Sequence, residues 1–216
     1  MIAQDYGCFV RETTSGMIGG FAGGLEGSIL ESIGGQILGQ MITRFDYNLL
    51  LHYPLSDVNL GGSPEVRWAQ SLVMQAVSRN TNIMQEASIS SAAEPFTEQS
   101  YLERAVRTLS EVCSGIAATS PAIRNIKPTR VNLGNPLEMK FTIDLTRTAV
   151  KFKRKELNHF VKEISKLTPK EKLANPPKGK SFDEAYDIAT FKPKVEQIEL
   201  YQRIKKMFKD LGLNLE

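Results

Sequence analysis

The feature that most constrains this chain is Met17–Gln40, MIGGFAGGLEGSILESIGGQILGQ, where a short apolar run meets two glycine pairs and passes at once into a helical repeat. Gly19, Gly20, Gly23 and Gly24 carry no Cβ, so the backbone can turn through positive φ there and approach a neighbour closely. Beyond them Leu25, Ile29, Ile33, Ile37 and Met41 recur every fourth residue, and Leu30 and Leu38 widen the stripe. The spacing predicts a helix with one apolar face from residue 25 to about Arg44. A strand, a glycine turn and a helix in that order form a unit of parallel α/β architecture, in which ligands collect at the C-terminal ends of the strands.

The same unit recurs. Met17–Phe21 reads as the first strand, and Tyr6–Val10 as a shorter candidate before it. Phe45–His52 (FDYNLLLH) fits a buried second strand by its position. Ser63-Pro64-Glu65 is a helix start, with a capping hydroxyl, a proline at the first helical position and an acid in the first turn. Val66, Ala69, Leu72, Val73, Ala76 and Val77 then share a face. Asn82–Ala87 is the third strand, and a helix from Thr97 or Ser100 carries Tyr101, Leu102, Ala105, Val106, Leu109, Val112, Cys113 and Ile116 at helical spacing. Three strand–helix units with short connections call for right-handed crossovers and a parallel sheet. Three are too few to close a barrel, so a sheet built this way needs its edge and second face covered by the rest of the chain or by another one.

From Ala118 the character changes. SPAIRNIKPTRVNLGNP reads as a long connection, Asn135-Pro136 caps a helix to about Thr148, and Leu157, Phe160, Val161, Ile164 and Leu167 form another amphipathic helix. Thr168–Lys180 reads as a proline- and lysine-rich linker. Ser181 and Glu184 stand in capping-box spacing. Lys192–Leu211 is a terminal helix with Val195, Ile198, Tyr201, Ile204, Phe208 and Leu211 inward, stopped by Gly212. The expected organisation is a βα-repeat region over 1–120 and a helical region over 121–216, with the linker at 168–180.

Charge follows the same division. Residues 1–120 contain no lysine, with six arginines against twelve carboxylates, whereas residues 121–216 carry twenty-one basic residues against twelve acidic ones. Solvated surfaces use lysine freely and contact surfaces are depleted in it, so the first half reads as largely enclosed, by its own chain or another. Two cysteines without C-x-x-C spacing and the missing leader point to reduced thiols in a cytoplasmic setting. No apolar run is long enough to span a membrane. The basic run of 151–172 is interleaved with Glu156, Glu163 and Glu171 and lacks an outward aromatic stripe, as a solvated helix face does, so neither nucleic acid nor membrane is an expected partner.

Few residues carry obvious chemistry. His52 ends a strand and admits a catalytic or a structural reading. His159 sits on the exposed side of a basic helix, and neither histidine has a companion at metal-ligand spacing. The glycine turn either packs a strand against a helix or cradles an anion on the helix N-terminus. It matches neither a dinucleotide fingerprint nor a Walker loop. Glu12, Glu26 and Glu86 stand near predicted strand ends, where a carboxylate can hold an amine or move a proton.

Three stretches resemble a known family: IGGFAGGLEGSILE (Ile18–Glu31), the Glu65-Val66-Arg67-Trp68 segment, and PPKGKSFDEAYDIATFKP with YQRIKKMFKDLGL (Pro176–Leu213). They are similar to the C-terminal part of the monomethylamine:corrinoid methyltransferases of methanogenic archaea, and the likeness runs over nearly the whole chain. The resemblance implies a partial TIM-barrel arrangement of βα units with a helical C-terminal extension. It implies a pyrrolysine, upstream of anything matching here, that captures a small amine, and a corrinoid carried by a separate partner protein instead of a cofactor bound directly. A family glutamate precedes the glycine strand, and Glu12 stands one residue further from the glycines than that position. The family's later glutamine and tyrosine fall near Thr81 and Ile83.

On this reading Glu12 is the catalytic candidate, Gly19, Gly20, Gly23, Gly24, Glu26 and Glu86 line a substrate site, and a second chain or a second copy completes the barrel. Two other expectations stand beside it. One is a non-catalytic homologue that binds a corrinoid or barrel partner, and the other is an unrelated anion-binding module built on the glycine turn.

Overall fold

The computed structural model describes residues 2–55, 62–88, 91–119 and 135–215. They divide into two compact units. One comprises Met1–Ile89 with Glu111–Ser120, and the other Ser90–Ser110 with Pro121–Glu216.

In the first unit a single turn, α1 (Ile2–Asp5), precedes strand β1 (Arg11–Ile18), which the glycine turn joins to helix α2 (Leu25–Thr43). Strand β2 (Tyr47–Pro54), helix α3 (Pro64–Asn80) and strand β3 (Gln85–Ser88) follow. Helix α4 (Glu98–Ser114), whose residues Glu98–Ser110 belong to the second unit and Glu111–Ser114 to the first, leads to the short strand β4 (Ala118–Thr119). The strands form one parallel sheet in sequential order β1-β2-β3-β4, with Arg11 opposite Tyr47 through Ile18 opposite Pro54, Glu86 opposite Leu49, and Ala118 opposite Glu86. Sequential parallel strands joined through helices are the arrangement of a (β/α) barrel, of which four strands are half. The fold is therefore α/β, a partial TIM-barrel arrangement with a helical C-terminal portion.

The first strand differs from the expected one. Residues 6–10 form a turn and an irregular segment, and RETTSGMI is the strand, because its threonines suit an extended, half-buried surface and it ends where the glycines begin. Leu50 and Ala87 on one face of the sheet meet Ile29, Ala69, Val73, Met74 and Val77 in the core of this unit. Ser63 caps α3 as its position predicted, its hydroxyl accepting from the Val66 amide at 3.3 Å.

Helix α2 has the expected ends, but its sheet-facing side is not the apolar stripe alone. Ser28, Ile29, Ser32, Gln36 and Gly39 are buried, whereas Leu30, Ile37, Leu38, Met41 and Ile42 are exposed. The helix is apolar nearly all round, so periodicity could not tell which side would meet the sheet.

The second unit holds α5 (Pro136–Ala149), α6 (Arg154–Ser165), α7 (Lys170–Ala174), α8 (Phe182–Ala185), a two-residue antiparallel pair β5 (Tyr186–Asp187) and β6 (Lys192–Pro193), and α9 (Val195–Asp210). Asn135 caps α5 by accepting from the Leu137 and Glu138 amides, and the Ser181–Glu184 capping box forms. Tyr101, Phe141 and Phe208 pack edge to face at its centre.

The stretch expected as a linker contains α7, with Leu173 buried, and its end is tied down where the Gly179 amide donates to Glu94 Oε2 at 2.9 Å. Val195 and Ile198, expected inward, are exposed. Helix α9 buries Gln197, Leu200, Tyr201, Ile204 and Phe208, since the apolar positions of its first turn lie off the stripe that the rest of the helix presents. The connection expected after Ala118 lies outside the described residues beyond β4.

Candidate functional site

Side chains alternate across a strand, so the pairing register sorts every residue of the sheet onto one of two faces. Leu50 and Ala87 face the helices. Their register neighbours Glu12, Thr14, Gly16, Asn48, His52 and Gln85 therefore share that side, and Arg11, Thr13, Ser15, Leu49, Leu51, Glu86 and Ser88 lie on the other.

The helix-facing side holds a polar layer. Glu12 lies against the backbone of Gly39, where any side chain would overlap its carboxylate, and accepts from Thr43 Oγ1 at 3.2 Å. Asn48 donates to Thr14 Oγ1 at 2.8 Å. His52 Nε2 lies 3.1 Å from Ser32 Oγ and 3.4 Å from the Ser28 carbonyl oxygen. Gly16 makes this possible, because a Cβ there would overlap the imidazole and come within 2.6 Å of Ser32 Oγ. The ring is 2% exposed, and burial pushes its pKa down to about 4 against a weaker upward pull from the Ser28 carbonyl. A neutral, desolvated histidine packed against a helix is a structural residue.

The opposite face carries the charged pair that alternation through β1 sets up. Glu86 is 8% exposed, and its Oε2 lies 3.8 Å from Nη1 of Arg11, two strands away. Thr13 and Leu49 share Glu86's register, and Ser15, Leu51 and Ser88 form the next row towards the strands' C-terminal ends. A buried carboxylate beside a guanidinium can accept hydrogen bonds from a small cationic or N–H-bearing ligand.

The glycine turn stands beyond that end of β1. Gly19 and Gly23 adopt φ of +88° and +77°. Its amides are used within the turn: Gly19 donates to the Gly23 carbonyl, Gly20 to that of Met17 and Gly23 to that of Gly20. Gly27 presses on the Ala22 carbonyl so closely that no side chain fits. Phe21 projects from the tip, fully exposed.

The structure thus separates the residues expected to act together. Glu86 lies on the face away from the helices, but Glu12 turns to α2 instead of the central site, because the strand starts in a phase that gives the outward place to Arg11. Glu26 is exposed on the first turn of α2. Gly19, Gly20 and Gly23 spend their N–H groups on the turn itself, as a packed strand–helix corner does. Thr81 and Ile83 precede β3, with Thr81 capping α3 and Ile83 packed on the core. Arg11 escapes the sequence reading because that reading places strands at Tyr6–Val10 and Met17–Phe21, on either side of it, whereas the strand is Arg11–Ile18. The alternation of RETTSGMI was the available signal.

Among the described residues no group of three or more His, Cys, Asp or Glu side chains could hold a metal ion, and no helix is long and apolar enough to cross a membrane.

A half-barrel parallel sheet, with a charged pair on the face that its helices leave and a glycine corner at the strands' C-terminal end, defines a portion of a (β/α)-barrel protein of the kind that places ligands at the strand ends. The model of the family described as monomethylamine methyltransferase MtmB matches residues 7–213, and the chain belongs to that family. Monomethylamine methyltransferase MtmB1 of Methanosarcina acetivorans is 25% identical over 165 residues, covering 72% of this chain and 36% of that protein. The MtmB1 of Methanosarcina barkeri is 24% identical over the same shares. The crystal structure of the M. barkeri enzyme matches 98% of this chain and 46% of its own with a TM-score of 0.88 at 21% identity. A structure of MtmB in complex with hydroxylamine matches equally. The chain thus spans about a third of the length of the curated relatives it matches.

Proposed function

We propose that this chain supplies the C-terminal part of a methylamine:corrinoid methyltransferase barrel, which transfers a methyl group from a methylamine to a corrinoid carried by a separate protein. The observation that carries the proposal is the extent of the likeness. The family match runs from residue 7 to 213 and the structural match covers 98% of the chain, yet the chain covers 36% of the curated relative and 46% of the solved one.

In this reading the missing strands pair with the open edge of β1, and the pyrrolysine of the family comes from that other portion. Glu86, beside Arg11, holds the amine or its adduct from the inner face. Hydroxylamine, the ligand named for a solved relative, is a small N–H donor of the size such a carboxylate can anchor.

A second reading, a binding module for the corrinoid protein without catalysis, is favoured by the placement of Glu12. The acid aligned nearest to the family's glutamate lies against Gly39 and Thr43 on the outer side.

The test joins the purified chain with the separately produced upstream portion of an MtmB relative and follows methyl transfer from monomethylamine to the corrinoid protein. Transfer is expected from the combination and from neither part alone. Glu86→Gln should lower the rate by about 100-fold, and Glu12→Gln should leave it within a few-fold. Corrinoid-protein binding with no transfer in the combination would overturn the first reading in favour of the second.

A further inference from the structure

We infer that the Arg11–Glu86 pair fits this chain's site to a zwitterionic methylated amine, an N-methyl α-amino acid whose ammonium group lies on Glu86 and whose carboxylate lies on Arg11. The inference rests on the proposed function for the methyl transfer, but not for the binding.

The ammonium form of monomethylamine carries one charge, and a single carboxylate satisfies it. The helix-free face of this sheet offers two opposite charges side by side. Arg11 of β1 and Glu86 of β3 both stand on it, with Leu49 of β2 between those strands. Their nearest atoms, Arg11 Nη1 and Glu86 Oε2, are 3.8 Å apart. A charge-assisted hydrogen bond measures about 2.8 Å. The two groups therefore attract each other without using each other's hydrogen-bonding capacity, and among the described residues neither the guanidinium nor the carboxylate makes another hydrogen bond. Glu86 is 8% exposed, so little water reaches its oxygens, and a buried carboxylate without donors costs free energy until one arrives. The Arg11 side chain is 47% exposed, and its guanidinium holds N–H donors in a planar fork that matches a carboxylate bidentately.

The spacing selects an α-amino acid. Ordinary bond lengths set the nitrogen and the nearer carboxylate oxygen of such a molecule about 3 Å apart. Laid along the pair, it spans most of the 3.8 Å gap, so both charge-assisted bonds keep their usual length. A monocation on Glu86 would instead lie beside the guanidinium, and like charges that close repel in a site sheltered from water. Leu49, in register with Glu86 and on the same face, offers the N-methyl group an apolar surface. The transfer is that of the proposed function with a different leaving amine. The methyl–nitrogen bond breaks, its electron pair stays on the nitrogen of the released amino acid, and the reduced corrinoid of the partner protein gives the pair of the new bond to the methyl group, an oxidation of its metal.

The test uses the chain combined with the upstream portion of an MtmB relative, with N-methylglycine and monomethylamine as probes. Transfer from N-methylglycine should exceed that from monomethylamine by about tenfold or more in kcat/KM. Arg11→Gln should cut kcat/KM for N-methylglycine by about 30-fold, mostly through KM, and leave that for monomethylamine unchanged or higher. Arg11→Lys, which keeps the charge and loses the fork, should fall between. Isothermal titration calorimetry should show N-methylglycine bound by the parent combination and not by Arg11→Gln. Transfer from monomethylamine that equals or exceeds that from N-methylglycine, in a ratio that Arg11→Gln leaves unchanged, would overturn the inference and leave the proposed function standing. Transfer from neither amine would count against the proposed function alone. Calorimetry then decides the inference, which Arg11-dependent binding of N-methylglycine upholds and no binding at about 10 mM overturns. If Arg11→Gln fails to fold by circular dichroism, Arg11→Lys and the parent's preference between the two amines decide.

Discussion

At the scale of single residues, one step of strand alternation separates what could be read from what could not. Glu86 falls in the strand expected over Asn82–Ala87, and the register with Leu49 found in the structure sets the face it takes. The face of Glu12 was not legible, because it depends on where β1 begins, and the segment before it carries no clear period. His52 shows the same limit. Its sequence position allows catalysis, and only its contact with Ser32 across Gly16 makes it structural.

That burial has a measurable consequence. The folded-state pKa of His52, about 4, lies below the 6.5 of an unfolded histidine, so the unfolded chain binds the extra proton between those values. Its contribution to stability is therefore complete above pH 6.5 and is lost as pH falls towards 4, by on the order of 3 kcal/mol. Urea unfolding at pH 7.5 and 4.5 should show the loss, and His52→Asn should remove most of the slope in that interval.

At the scale of elements, helix starts were the most legible parts of the chain. Ser63, Asn135 and Ser181 announce α3, α5 and α8 because capping is local chemistry that three or four residues complete by themselves. Helix faces were less so. On α2 and α9 the apolar residues outnumber the positions that one packed side can take, and tertiary contact makes the choice.

The sharpest electrostatic dependence between elements is the pair formed by Arg104 of α4 and Glu138 of α5. Arg104 Nε lies 2.7 Å from Glu138 Oε2, with the side chains 6% and 0% exposed, and the other oxygen of Glu138 accepts from the Phe96 amide. Neither charge has water to return to if its partner is removed. Arg104→Met should destabilise the chain by about 3–5 kcal/mol. Converting both together, Arg104→Met with Glu138→Leu, should recover part of the loss. Equilibrium denaturation of the three variants measures this.

At the scale of the whole molecule, the sequential parallel order was legible from three strand–helix units, whereas β4 was not, since two residues bear no pattern. The sheet has an edge at β1 with no neighbour among the described residues, and amides along such an edge lack half their ladder. In hydrogen exchange of the chain alone, backbone amides of β1 should exchange faster than those of β2, which is paired on both sides over Asn48–Leu51. Adding the upstream portion of an MtmB relative should slow β1 selectively. Equal protection of the two strands before and after that addition would argue against barrel completion at this edge.

The adjacency of Arg11 and Glu12 leaves the sign of charge on the helix-free face of the sheet to parity. A homologue whose acid sits one place nearer the glycine corner, where Thr13 stands here, would show its ligand an anion from the first strand. This chain shows a cation there and draws its negative charge from the third strand. A single inserted or deleted residue could thus have reversed the polarity of the wall without touching any loop.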